Sequence, residues 1–199
     1  MSGRHLRQAR ADHGFSLIEL SVVVLIGLVV TTMAMPNMLT VIANTRLRGN
    51  ISTLSGIYQN CRMMAIKNNR TMTTRFNNST NGIMAYVKAA TDNSAVTRTD
   101  TQVELQKPIV RYTAAALALN SGPAGVSSSA LGFTPASGDP SFNSRGLPCA
   151  YSGGTCTNQG FIAYFKDTRR AGMTGWAAVS ISPAGRIKKW FWNGSAWAD

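Results

Sequence analysis

The chain has 199 residues, which is enough for one compact domain and an appendage rather than two full domains. It carries 20 Lys and Arg against 8 Asp and Glu, a formal net charge of +12, so its surface attracts anions such as nucleic acid, anionic lipid head groups or acidic glycans. The only two histidines, His5 and His13, precede Gly14, and cleavage there would leave none, excluding Ser-His and Cys-His catalytic pairs and His-ligated zinc. Beyond residue 45 the acids are Asp92, Asp100, Glu104, Asp139, Asp167 and Asp199, with no close pair suited to acid–base work. Three cysteines cannot supply a four-ligand metal site. The chain therefore reads as no enzyme, with no metal and no cofactor.

Residues 1–14 carry Arg4, Arg7 and Arg10 and end at Gly14. From Phe15 to Leu39 the chain is apolar and long enough to cross a bilayer as a helix. Glu19 breaks that pattern, and a carboxylate there costs a few kcal/mol unless it finds a partner. An ordinary secretory signal cut after Ala34 would need an unusually long apolar region with a charge inside it. A plain single-span anchor explains the arginines but leaves Gly14 and Glu19 unaccounted for. The run Gly14-Phe15-Ser16-Leu17-Ile18-Glu19-Leu20 resembles the class III signal of type IV pilins and pseudopilins. That resemblance implies a leader of residues 1–14, removed after Gly14 by a membrane-embedded prepilin peptidase that methylates Phe15. It gives Glu19 the filament-assembly role, neutralising the new amino group when subunits pack in an apolar core. Pro36 stands where the family has a helix-kinking proline. Other pilins or pseudopilins, and the bacterial inner membrane crossed once with a periplasmic head, are the partners implied.

The helical pattern continues past the span. Leu47, Ile51, Leu54, Tyr58, Cys61 and Ala65 recur at i+3 or i+4, with Arg46, Arg48, Asn50 and Arg62 off that stripe. The pattern predicts one helix over Phe15–Arg70, about 84 Å at 1.5 Å per residue: a transmembrane or filament-core part over 15–39 and an amphipathic part over 40–70. Cys61 on the stripe reads as a small buried hydrophobe. Residues 71–199 change texture to strands, predicted at Thr71–Phe76, Gly82–Lys88, Thr101–Tyr112, Leu131–Thr134, Gly160–Lys166, Trp176–Ser182 and Arg186–Trp192. Residues 120–145 otherwise read as irregular loops, and Pro183-Ala184-Gly185 as a tight hairpin turn. The expected fold class is α+β, a β-sheet head packed on the second half of a long helix.

Cys149 and Cys156 bracket a Gly-Gly loop. In an oxidising compartment they can form a disulfide contributing about 2–3 kcal/mol by chain entropy; the alternative is two unpaired thiols.

Two further fragments, Phe142-Asn143-Ser144-Arg145-Gly146-Leu147-Pro148 and Ser182-Pro183-Ala184-Gly185-Arg186-Ile187-Lys188, resemble the GspH/FimT/FimU family of minor pilins and H-type pseudopilins. That resemblance implies a head of two β-sheets on the core helix. FimT-like members use a C-terminal G-R-x-R motif to bind DNA; Gly185-Arg186-Ile187-Lys188 matches it with Lys in place of the second Arg, followed by Lys189 and Trp190. Lys keeps a phosphate contact and loses bidentate geometry. The same cluster also reads as a solvated strand edge whose lysines deter pairing. Two functions follow: a type IV minor pilin with double-stranded DNA as partner through Arg186, Lys188, Lys189 and Trp190, or an H-type pseudopilin of type II secretion with no nucleic acid. Losing the leader takes three Arg and Asp12 from the formal +12, leaving +10, which favours the first. A third class, an adhesin for a surface glycan, would require an aromatic-lined pocket.

Overall fold

An apolar run followed by a 3–4 stripe builds one helix, α1 (Leu17–Lys67). The computed structural model describes residues 15–79, 82–119, 122–136, 138–169 and 174–199, excluding the side chains of 33–37, 39, 78, 79, 106, 118 and 119. The chain divides between Ile42 and Ala43 into two compact units. In the second unit every residue of the predicted stripe is buried, from Leu47 at 5% exposed to Ile51, Leu54, Cys61 and Ala65 at 0%, and Ile57 joins them. The helix ends at Lys67 rather than Arg70. Asn69 takes a left-handed φ of 46°, and the amides of Asn69 and Arg70 turn back to the carbonyls of Ile66 and Ala65. That paired closure is a Schellman cap, with Asn in the place that glycine usually fills.

The head is two antiparallel sheets, as the family resemblance implied, not the single sheet read from strand texture. The first has β3 (Gln102–Gln106), β2 (Gly82–Ala89), β1 (Met72–Ser79), β5 (Ser141–Phe142), β6 (Pro148–Ser152) and β7 (Thr155–Asn158), in that order. The second has β11 (Trp197–Ala198), β10 (Ile187–Trp192), β9 (Trp176–Ile181), β8 (Phe161–Asp167) and β4 (Ile109–Tyr112). The expected strand over 101–112 is therefore two strands in different sheets, parted at Lys107–Pro108, a cis peptide bond. Pro108 has no N–H to give a ladder, so pairing breaks there.

One core joins α1 to both sheets: Ile83, Ala85, Val87 and Leu105 from the first, and Ala163, Phe165, Ala177, Val179 and Ile181 from the second. The second sheet is buried on its other face too, where Tyr164, Trp176, Ala178 and Trp190 pack with Leu117 and Val126. Leu117 belongs to α2 (Ala114–Leu119), and α3 (Ser128–Leu131) follows where a strand over 131–134 was expected. Ser127 caps α3, accepting from the Ala130 amide, and Gly132 closes it at φ 76°. Those two signals, a serine N-cap and a left-handed glycine, outweigh the short apolar run that suggested a strand.

Candidate functional site

At the start of the chain, α1 opens with Glu19 in its first turn, where a carboxylate complements the positive end of the helix dipole. The described apolar side chains around it face solvent: Phe15 is 80% exposed, Leu17 86%, Ile18 71% and Leu25 66%. A continuous apolar surface of this kind calls for a covering partner or lipid. Among the described residues no helix is long and apolar enough to cross a membrane. Gly14, the expected cleavage position, lies outside the described residues, and so does the side chain of Pro36, although the helical backbone continues through it.

The C-terminal hairpin turn forms as its sequence predicts. The Gly185 amide donates to the Ser182 carbonyl, Gly185 takes φ 84°, and β9 and β10 pair from Ile181 and Ile187 onward. The structure then brings the turn against a second loop. Asn143 organises residues 143–147, its Oδ1 accepting from the Arg145 and Leu147 amides. Gly146 in that loop and Gly185 in the hairpin both close over Arg62 of α1. A methyl group on Gly146 would meet Arg62 Nε at 3.1 Å and Ile66 Cδ1 at 2.7 Å, and one on Gly185 would meet Arg62 Nη1 at 3.2 Å. Arg62 donates to the Gly185 carbonyl over 3.4 Å. The two fragments that carried the family resemblance are thus neighbours around Arg62, with Arg145 and Arg186 each next in sequence to one of the two glycines.

Arg145, Arg186 and Lys189 are exposed, and Arg62 is half-buried. Among the described residues no carboxylate pairs with any of these four. Lys188 differs: its Nζ donates to Asp199 Oδ2 over 2.9 Å. That hydrogen bond, with the charges of Lys188 and Arg186, holds the Asp199 carboxyl below its usual range. Trp190 departs from the sequence expectation. It is 5% exposed, and its indole N–H donates to Ser180 Oγ, so it is a core residue and offers no face to a base. Trp190 and Trp192 face the side of the second sheet where Leu117 of α2 and Val126 of the loop after it pack. Arg62 was invisible as a site residue because only tertiary contact joins it to the hairpin.

Cys149 and Cys156 are disulfide-bonded, their Cα atoms 5.3 Å apart, in a hairpin turned by Gly153 and Gly154 at φ 54° and 85°. Cys61 is free and buried, and burial pushes its thiol up to about 12. Among the described residues no cluster of His, Cys, Asp or Glu could hold a metal.

Residues 9–35 match the prokaryotic N-terminal methylation motif. That match supports a type IV pilin-like protein. It supports cleavage by a prepilin peptidase, methylation, and assembly with other pilins as a membrane-anchored subunit. It ends before the amphipathic half of α1 and does not reach the head. The α+β architecture of helix and antiparallel sheets is consistent with the pilin fold. No curated protein and no solved structure matches the chain.

Proposed function

We propose that the chain is a non-enzymatic minor pilin of a type IV pilus, cut after Gly14, methylated at Phe15 and helping to start or cap a filament. The observation that carries this reading is the pairing of the methylation motif with an apolar helix whose side chains are left exposed, followed by a head that has its own buried core. The exposed segment has the composition to be covered by lipid before assembly and by neighbouring subunits after it. Glu19 then meets the methylated amine of a packed chain, a buried pair that is tolerable only when both charges are present.

The finer assignment is double-stranded DNA as a ligand of the head, contacted by Arg186, Lys188 and Lys189. Arg62 and Arg145 extend that surface. What favours it over the H-type pseudopilin is the concentration of unpaired cations at one turn. The core position of Trp190 removes base stacking from the reading and leaves phosphate contact alone, which reads no sequence.

Intact-mass analysis of membrane protein from cells with and without the peptidase tests the N-terminal assignment. The expected product begins at Phe15 and carries one methyl group. A soluble product beginning near Met35 would overturn the pilin reading.

A further inference from the structure

The head contains a cleft of about 320 Å³ walled by Trp176, Phe191 and Trp192 together with Asn44, Arg48 and Asn193. It lies at the far end of β10 from the basic turn, roughly 20 Å from Arg186 at 3.3 Å per strand residue. Its volume is at the lower end of the roughly 300–1,000 Å³ typical of small-molecule sites, with room for about one or two sugar rings.

Three features define its chemistry. The Arg48 guanidinium carbon sits 4.4 Å from the centroid of the Phe191 ring, which fixes the side chain by a cation–π contact. Among the described residues no carboxylate pairs with Arg48, and none lines the cleft, so a planar fork of donors is held in place without an anion. Trp192 is braced rather than loose: its ring meets Trp197 edge-on at 5.5 Å, and the Trp197 N–H donates to the Ala124 carbonyl over 2.8 Å. Asn193 is held by its Oδ1, which accepts from the amides of Ser195 and Ala196, leaving its amide N–H group to donate.

Braced aromatic rings, amide groups and one positioned guanidinium, with no acid, suit a guest of matching parts. It has an apolar ring face to lie on the Trp192 indole, a hydroxyl for the Asn193 amide, and one carboxylate for Arg48. We infer that the cleft binds an acidic carbohydrate, a uronic-acid residue of a polysaccharide, making the head a glycan-contacting subunit. The site is separate from the basic turn and does not depend on DNA binding there.

The test uses the full-length chain in detergent micelles, with trigalacturonic acid and its fully methyl-esterified form as probes, followed by saturation-transfer NMR and tryptophan fluorescence. The ester keeps every ring and removes every charge. The acid is expected to bind at least tenfold more tightly than the ester. Arg48→Gln, a change at an exposed side chain, should erase that difference and leave the ester's affinity within about twofold. Arg186→Gln with Lys188→Gln should leave both affinities unchanged. Equal binding of acid and ester by the wild-type chain, or undiminished acid binding by Arg48→Gln, would overturn the inference. So would loss of acid binding in the hairpin variant, which would reveal only general attraction of a polyanion. Tighter binding of a mononucleotide than of trigalacturonate would assign the cleft to a base instead.

Discussion

Cys61 shows how a single side chain takes its chemistry from its surroundings. It lies on the helix stripe, fully buried, and desolvation raises its thiol to about 12. With the thiolate as the reactive species, only about one molecule in ten thousand is ionised at pH 8, and that one is shielded from reagent. The sequence was sufficient here, because a cysteine on an apolar stripe between Tyr58 and Ala65 has few other fates. Maleimide at pH 8 is expected to leave the native chain unlabelled and to add one label after unfolding without reductant. Prompt labelling of the native chain would mean the helix stripe is open. Three labels after unfolding without reductant would mean that the Cys149–Cys156 bridge does not form. Lys88 is the contrary case. Its side chain is 3% exposed, yet Nζ donates to Ser94 Oγ and the Ala95 carbonyl and lies 3.4 and 3.5 Å from Asp92 and Asp100. Nothing in a Val-Lys-Ala strand end announces a buried ammonium that fastens the following loop, because its partners are up to twelve residues away.

At the level of elements, the two halves of α1 obey different rules, and both were legible. The half after Ile42 alternates apolar and basic residues with helical period and buries the apolar set; the half before it is apolar all round, which leaves no inside to bury. Leu54 at 0% exposure is expected to cost about 2–5 kcal/mol on truncation to Ala, because the core between two sheets and a helix cannot collapse onto the gap. Ile26→Ala, at a side chain 57% exposed, should leave the head's unfolding midpoint unchanged. Denaturant unfolding of the full chain in detergent, followed by tryptophan fluorescence, checks both; a matching shift for the two variants would mean that the head has no core of its own. The strands were less legible than the helix, for two physical reasons. Strand β9 is buried at all six positions, since α1 covers one face and α2 with its loop the other, so no alternation marks which sheet it belongs to. The pairs β5–β6 and β6–β7 depend on turns of Asn143 and of Gly153-Gly154, short signals that a search for long alternating runs passes over.

For the whole molecule, charge is spent unevenly. Five of the head's acids are engaged internally: Asp92 and Asp100 with Lys88, Asp139 with Arg111, Asp167 with Arg169, and Asp199 with Lys188. The excess of cations is therefore displayed on side chains such as Arg62, Arg145, Arg186 and Lys189, three of them at the junction of two loops with α1. If this surface holds duplex DNA through phosphates, each contact contributes about one unit to the slope of log affinity against log salt. Lys188 enters that count at a discount. Asp199 is held ionised below the ordinary carboxylate range, so it neutralises Lys188 throughout the physiological pH window. Arg186→Gln with Lys188→Gln should then lower the slope by nearer one unit than two. Asp199→Asn should steepen the wild-type slope by about one and strengthen binding at low salt, because it releases Lys188 and removes a repelling charge. Arg145→Gln should lower the slope by about one, a loss that the hairpin alone does not predict. Affinity for a single head should be weak, about micromolar, since few contacts are made and display along a filament supplies avidity. Salt titrations of the full chain on a random-sequence duplex measure all four proteins. Equal slopes for wild type and the double variant would move the contact elsewhere. No binding by wild type at low salt would favour the secretion pseudopilin, a subunit for which this basic turn meets protein rather than phosphate.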